Sequence, residues 1–192
     1  DRSPAFILVV KWSVACSMTI TAPGRGWCRA LRSGVSPGAV LPRLKCEAMK
    51  QHKIPAVFMR GGTSKAIIFN RADLPEDRTH WDAIFLAAIG SPDPNGRQLN
   101  GMGGGISSLS KVCIVEPSDR DDADVNYPFA QIGVDRENVG YGANCGNMSS
   151  AIGPFSVDEG LVEAAGDDAL VRIYNTNTDR IIHSRFAMDG DL

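Results

Sequence analysis

The chain has 192 residues, with twenty lysines and arginines against twenty-two aspartates and glutamates, and a net charge of −2 at pH 7. A 43% hydrophobic content is enough for a sizeable core. No basic, aromatic-interleaved patch follows Met49, so nucleic acid is not an expected partner, and no apolar run approaches the roughly 20 residues of a membrane helix.

The near-neutral total hides an asymmetry. Asp1 to Ala48 holds seven Lys/Arg against two Asp/Glu, whereas the remainder holds thirteen against twenty. The first segment also carries three of the five cysteines (Cys16, Cys28, Cys46), scattered Pro and Gly, and no sustained periodicity. Phe6-Ile7-Leu8-Val9-Val10 is apolar but is interrupted by Lys11, short of the roughly 7–15 apolar residues of a secretory signal. Met49-Lys50-Gln51-His52-Lys53 has the look of a translation start. Residues 1–48 are therefore expected to be a non-native or disordered extension, and residues 49–192 a domain. Without an export signal, and with no C-x-x-C pair, the thiols are expected to stay reduced in a cytoplasmic protein.

From Ile54 onward the pattern is mixed. Ile54 to Arg60 reads as a strand, Gly61-Gly62-Thr63-Ser64-Lys65 as a turn with hydroxyls and a cation, and Ala66 to Phe69 as the return strand. In Asp77 to Gly90, Trp81, Ile84, Phe85, Ala88 and Ile89 share one helical face, with Asp77 or Thr79 to cap the start and Gly90 the end. Gly101 to Ser110 is a Gly-rich loop leading into the apolar strand Val112 to Val115. Its glycines could let backbone approach a ligand, but it lacks the Gly-Lys-Ser/Thr ending of a nucleotide-binding loop. Lys111 stands where loop meets strand; taken alone, it reads as a solvated lysine at a strand end. Cys113 reads as a small core residue. Asp119, Asp121, Asp122 and Asp124, with Arg120, read as a solvated turn without the glycine and glutamate of a calcium loop. A further strand is expected around Ala130 to Val134.

Tyr141 to Met148 (YGANCGNM) carries the most chemistry. Ser149 to Gly153 opens a helix, so Cys145 sits at a helix N-terminus. The dipole and the unpaired N–H groups there favour a thiolate. Asn144 and Asn147 can bind a polar ligand or cap the helix. Pro154 falls either in the first turn of a continuing helix or at a kink. Ala169 to Tyr174 and Arg180 to Phe186 read as a hairpin joined by Asn175 to Asp179. His52, His80 and His183 form no metal-binding pattern.

Four stretches together resemble the PrpF family of isomerases and tautomerases of unsaturated tricarboxylates: IPAVFMRGGTSK (54–65), GGGISSLSKVCIV (103–115), YGANCGNMSSAIGPFSVDEGLV (141–162) and RIYNTN (172–177). The resemblance covers Lys53 to Leu192, with Ala66 where a glycine commonly follows the Gly-Gly-Thr-Ser-Lys run. It implies an α+β, diaminopimelate epimerase-like fold, a β-barrel-like sheet wrapped around a central helix. It also implies that residues 49–192 are the first of two such domains, with the second missing. The implied reaction shifts a double bond, or its cis-trans geometry, in a substrate such as 2-methylaconitate by proton transfer, with no cofactor and no metal.

The resemblance puts the functional lysine and cysteine at Lys111 and Cys145. Thr63, Ser64, Lys65, Gly104, Ser107, Ser108, Asn144, Gly146, Asn147 and, less directly, Arg60 are the candidates for holding the substrate. The expected partners are the small tricarboxylate itself, an aconitase-like enzyme as functional neighbour, and a further copy of the chain in a homo-oligomer. Three other readings stay open: a 4-oxalomesaconate-type tautomerase, an amino-acid epimerase of the same fold, and a non-catalytic tricarboxylate-binding accessory protein.

Overall fold

The computed structural model describes residues 6–12, 16–17, 52–164 and 166–188. Their order is β1 (Phe6–Trp12), β2 (Cys16–Ser17), β3 (His52–Gly61), β4 (Ser64–Asn70), α1 (Trp81–Ile89), β5 (Lys111–Pro117), β6 (Val125–Asn126), β7 (Phe129–Ile132), β8 (Val139–Gly140), α2 (Gly146–Asp158), β9 (Asp168–Asn175) and β10 (Arg180–Ala187). The strands form one mixed sheet in the order β10-β9-β6-β5-β4-β3-β1-β2, with β7 on β5 and β8 on β7. β3–β4 and β9–β10 are antiparallel hairpins, whereas β4–β5, β6–β9 and β1–β3 run parallel. The apolar run Phe6 to Val10 thus lies on the edge of β3, with Phe6 opposite His52 and Trp12 opposite Phe58. Apart from β1 and β2, residues 1–48 lie outside the described residues.

Strand alternation splits the core into two layers. Ile54, Ala56, Ile67, Phe69, Val112 and Ile114 face one way and pack on Trp81, Phe85 and Ile89 of α1. Val57, Ala66, Ile68, Cys113 and Val115 face the other way and pack on Met148, Ala151, Ile152 and Phe155 of α2. α2 lies against β3, β4, β5, β9 and β10, so the sheet curls round it as a central helix. Gly153 makes the β10 contact close: a Cβ there would run into Ser184 and Phe186. Pro154 sits inside α2, and the helix continues to Asp158. The bond its missing N–H forgoes would go to the carbonyl of exposed Ser150, which faces water.

The helix expected after Asp77 is present. Asp77 accepts from the Thr79 N–H at 2.9 Å, capping a short 3-10 turn (Arg78–His80) that leads into α1, and Gly90 closes it in the left-handed region at φ 82°. The strand expected around 130–134 lies further upstream. Pro128 separates β6 from β7, and Gly133 N–H turns to the Asn138 carbonyl at 2.8 Å, starting the β7–β8 turn where a longer strand was expected.

The acidic run is only partly a solvated turn. Asp124 is tied to β9, accepting from Arg172 Nη2 at 2.6 Å and from the Arg172 backbone N–H at 2.7 Å. These hydrogen bonds hold the Asp124 carboxyl below the usual carboxylate range, against the opposing effect of desolvation. A folded pKa below the unfolded one gives stability that is present above the unfolded value, roughly pH 4, and is lost as pH falls through the folded value. Asp124→Asn should therefore cost more stability at pH 7 than at pH 3, measured by urea unfolding at both. An equal loss at the two pH values would rule out this linkage.

Candidate active site

The site is built where the β3–β4 hairpin tip meets the first turn of α2. Cys145 is the N-cap residue, with extended backbone (φ −118°, ψ 103°) and no side-chain capping bond. Its thiol, half-buried, donates to the Ser64 hydroxyl at 3.8 Å. Among the described residues nothing accepts from the N–H groups of Gly146 or Asn147, both exposed, so the helix presents its positive end, with open donors, beside the thiol. Gly146 faces open space.

The hairpin tip is held there by contact as well as by hydrogen bonds. Asn147 Nδ2 donates to Thr63 Oγ1 at 2.9 Å and to Ser64 Oγ at 3.5 Å. Gly61 and Gly62 lie against Asn147 so closely that a Cβ on either would collide with it, and Gly62 has a φ of 52°. Asn147 thus spends its amide N–H groups on the hairpin.

Lys111 lies on the same face of the sheet as Cys145. On β5 it shares parity with Cys113 and Val115, whose side chains meet α2. The reading of Lys111 as a solvated strand-end lysine fails, because it is only 7% exposed. Its Nζ donates to Gln131 Oε1 at 2.6 Å and sits 5.3 Å from the centre of the Phe129 ring. Both partners come from β7, which pairs Gln131 with Lys111 and Phe129 with Cys113.

Between lysine and cysteine lies Cys113, fully buried as expected and 3.7 Å from the Tyr127 hydroxyl. Burial pushes the Cys113 thiol up to about 12, the Tyr127 hydrogen bond opposes this, and Cys145 and Lys111 act on it in opposite senses. Burial likewise pushes the Tyr127 phenol up. Cys113 is therefore a neutral thiol in the wall of the site.

The loop carrying Cys145 is fixed from β9 and the turn after it. Asn175 Nδ2 donates to Tyr127 O at 3.1 Å and to Asn144 Oδ1 at 3.3 Å, and Asn177 Nδ2 donates to Phe129 O at 2.6 Å and Ala143 O at 2.7 Å. Residue-by-residue reading missed Gln131, Tyr127, Asn175 and Asn177 as parts of the site. The RIYNTN stretch contained two of them, but only as a marker of resemblance.

The other candidates are distributed unevenly. Ser107 and Ser108 form a 3-10 turn (Ser107–Leu109) just before Lys111, and the Ser107 carbonyl accepts from Gln131 Nε2 at 3.0 Å. Gly104 stands in the preceding loop against the Leu109 side chain. The neighbouring glycines serve the chain's own packing: Gly101 presses on the end of α1, Gly103 on the Gln98 side chain and the Ile89 carbonyl, and Gly105, at φ 74°, on the Gly96 carbonyl. Gln98 pins this loop, accepting from Gly105 N–H and Ser110 Oγ at 2.8 Å each. Arg60 and Lys65 are directly opposed in the hairpin, on the α1 face of the sheet, with Lys65 Nζ 5.0 Å from the Phe58 ring. The structure does not bring them to the face that holds Cys145. Burial and then the Arg60 charge lower the Lys65 pKa.

No group of three or more His, Cys, Asp or Glu able to hold a metal occurs among the described residues, and no helix among them is long and apolar enough to cross a membrane.

Known proteins are similar to this chain in sequence and fold. 4-Oxalomesaconate tautomerase of Pseudomonas putida is 50% identical over 133 residues, 69% of this chain and 36% of that protein. 2-Methyl-aconitate isomerase of Cupriavidus necator is 45% identical over 140 residues, 69% of this chain and 35% of the relative. A crystal structure of methylitaconate-delta-isomerase superposes with a TM-score of 0.68 at 42% identity, covering 71% of this chain and 35% of the other. The chain thus spans about a third of the length of the relatives it matches. The fold is the α+β, diaminopimelate epimerase-like one, and the model of the family described as PrpF protein matches residues 51–191, so that this chain belongs to the PrpF family.

Proposed function

We propose that this domain supplies one side of the active site of a cofactor-independent isomerase. It would move a double bond, or change its cis-trans geometry, in an unsaturated tricarboxylate such as 2-methylaconitate. The observation that carries this reading is the placement of Lys111 and Cys145 on one face of the sheet, the lysine buried and the thiol at an open helix N-terminus.

The reaction needs two proton transfers. A base removes a proton from carbon α or γ to a carboxylate, the negative charge spreads over the allylic system, and a proton returns at another carbon. Lys111 and Cys145 are the proton-transfer pair in this reading. The open N–H groups of Gly146 and Asn147 would receive a substrate carboxylate or the developing charge. In this reading Thr63, Ser64, Asn144, Ser107 and Ser108 would help hold the substrate, while Arg60 and Lys65 would reach it only around the hairpin tip. An aconitase-like enzyme as neighbour and a homo-oligomer remain part of the proposal. The 50% identity to a 4-oxalomesaconate tautomerase favours tautomerisation as the second reading.

The test is proton NMR of the full-length gene product with trans-aconitate or 2-methylaconitate in deuterated buffer. Deuterium entering the substrate with a shifted double bond is the expected result. No exchange with any unsaturated tricarboxylate would defeat the isomerase reading and favour the amino-acid epimerase. Binding without exchange would favour the accessory protein.

A further inference from the structure

Lys111 is buried, yet its hydrogen-bond partner is an amide. Gln131 Oε1 accepts from Lys111 Nζ at 2.6 Å, and no described carboxylate forms an ion pair with that ammonium. The amide's orientation is forced. Gln131 Nε2 donates to the carbonyls of Ser110 at 2.9 Å and Ser107 at 3.0 Å. Turned over, it would set NH2 against ammonium and oxygen against two carbonyls, so only one orientation satisfies every group. The Ser110 carbonyl also accepts from the Ile132 N–H at 3.0 Å, and the Ser110 hydroxyl is held by Gln98. One side chain therefore joins the turn after the Gly-rich loop, β7 and the Lys111 ammonium.

A carboxylate at position 131 would still accept from the lysine, but it would neutralise the charge and lose the bonds to the Ser107 and Ser110 carbonyls. A glutamine holds it and leaves its charge unpaired, in a wall where the other near group is an aromatic face. We propose that Gln131 is a positioning residue that fixes Lys111 in place while keeping its charge free for a carboxylate of the ligand. Only the identity of that ligand rests on the isomerase reading.

The experiment uses the 192-residue chain with 15N-labelled lysine. The ammonium resonance of Lys111 is assigned by its loss in Lys111→Met. In the parent chain it should be visible, because a buried, hydrogen-bonded ammonium exchanges its protons slowly with water. In Gln131→Leu it should broaden away, and in Gln131→Glu it should return, since an acceptor is restored. Survival of the resonance in Gln131→Leu, or its loss in Gln131→Glu with a native amide spectrum, would overturn the positioning role. If Gln131→Leu loses its native amide spectrum, Gln131→Glu decides alone.

The second readout is binding of trans-aconitate, followed by amide shifts. Gln131→Glu should weaken it on the order of tenfold, because the new carboxylate takes the charge that the ligand would have met. Undiminished binding in Gln131→Glu would overturn the free-charge part. A parent chain that binds no tricarboxylate while the ammonium resonance behaves as expected would count against the tricarboxylate reading and leave the positioning of Lys111 standing.

Discussion

Cys145→Ser is expected to abolish turnover of the full-length gene product, with a loss on the order of 10²–10⁴-fold or more, and to leave the fold intact. The two halves of this expectation have separate causes. Serine keeps the size and polarity of the side chain, but its hydroxyl gives up a proton far less readily than a thiol, so a proton-transfer role would be lost. The fold should not suffer, because Cys145 makes no capping bond in the structure and serine is among the better N-cap residues. The contact with Ser64 becomes an ordinary hydroxyl pair. The measurement is the deuterium-exchange rate beside the thermal melting temperature. Unchanged exchange would remove Cys145 from the mechanism, whereas a fallen melting temperature would mean that the cysteine has a structural duty not visible here.

Gly61→Val should be strongly damaging although it removes no reacting group. Gly61 ends β3 with its backbone pressed on the first turn of α2, where a Cβ would collide with the Asn147 carbonyl. That neighbour is backbone at the start of a buried helix and has no rotamer with which to yield. The hairpin tip must lift, which breaks the 2.9 Å bond from Asn147 to Thr63 and withdraws Ser64 from the Cys145 thiol. Overpacking of this kind costs about 1–3 kcal/mol and occasionally more, which in a domain of this size lowers the melting temperature by roughly 2–4 °C per kcal/mol. Gly142→Ala is the control, since a Cβ at Gly142 meets nothing within 4 Å. Equal melting temperatures for the two variants would show that the hairpin tip is not seated on the helix.

These two residues also show how legible the chain was. Cys145 could be singled out by its neighbours, because a cysteine among small and amide residues before a helix is a local pattern with a local electrostatic consequence. The Gly-Gly turn could likewise be seen as a turn. Why the first residue must be Gly could not be seen, because the group that forbids a side chain on Gly61, the Asn147 backbone, lies 86 positions further along the chain. The Gly-rich loop, whose glycines suggested a ligand, has a packing duty that was equally hidden: Gly101 makes room for the end of α1, Gly103 for Gln98 and Ile89, and Gly105 for Gly96.

By itself the sequence determined what depends on short range. Apolar periodicity set α1, the β3–β4 and β9–β10 hairpins and the strand through Cys113, and the order of motifs pointed to the family. The tertiary structure decided which side chains share a face. Strand parity carried Lys111 to the side of Cys145, and it carried Arg60 and Lys65 to the side of α1, although all four stand within or beside the same motifs. It also buried Lys111 under β7 and gave it Gln131 as a neutral partner. The physical reason is that a strand's side chains alternate in direction, and whether an alternate position meets water, a helix or a neighbouring strand depends on pairings made between residues far apart in the chain.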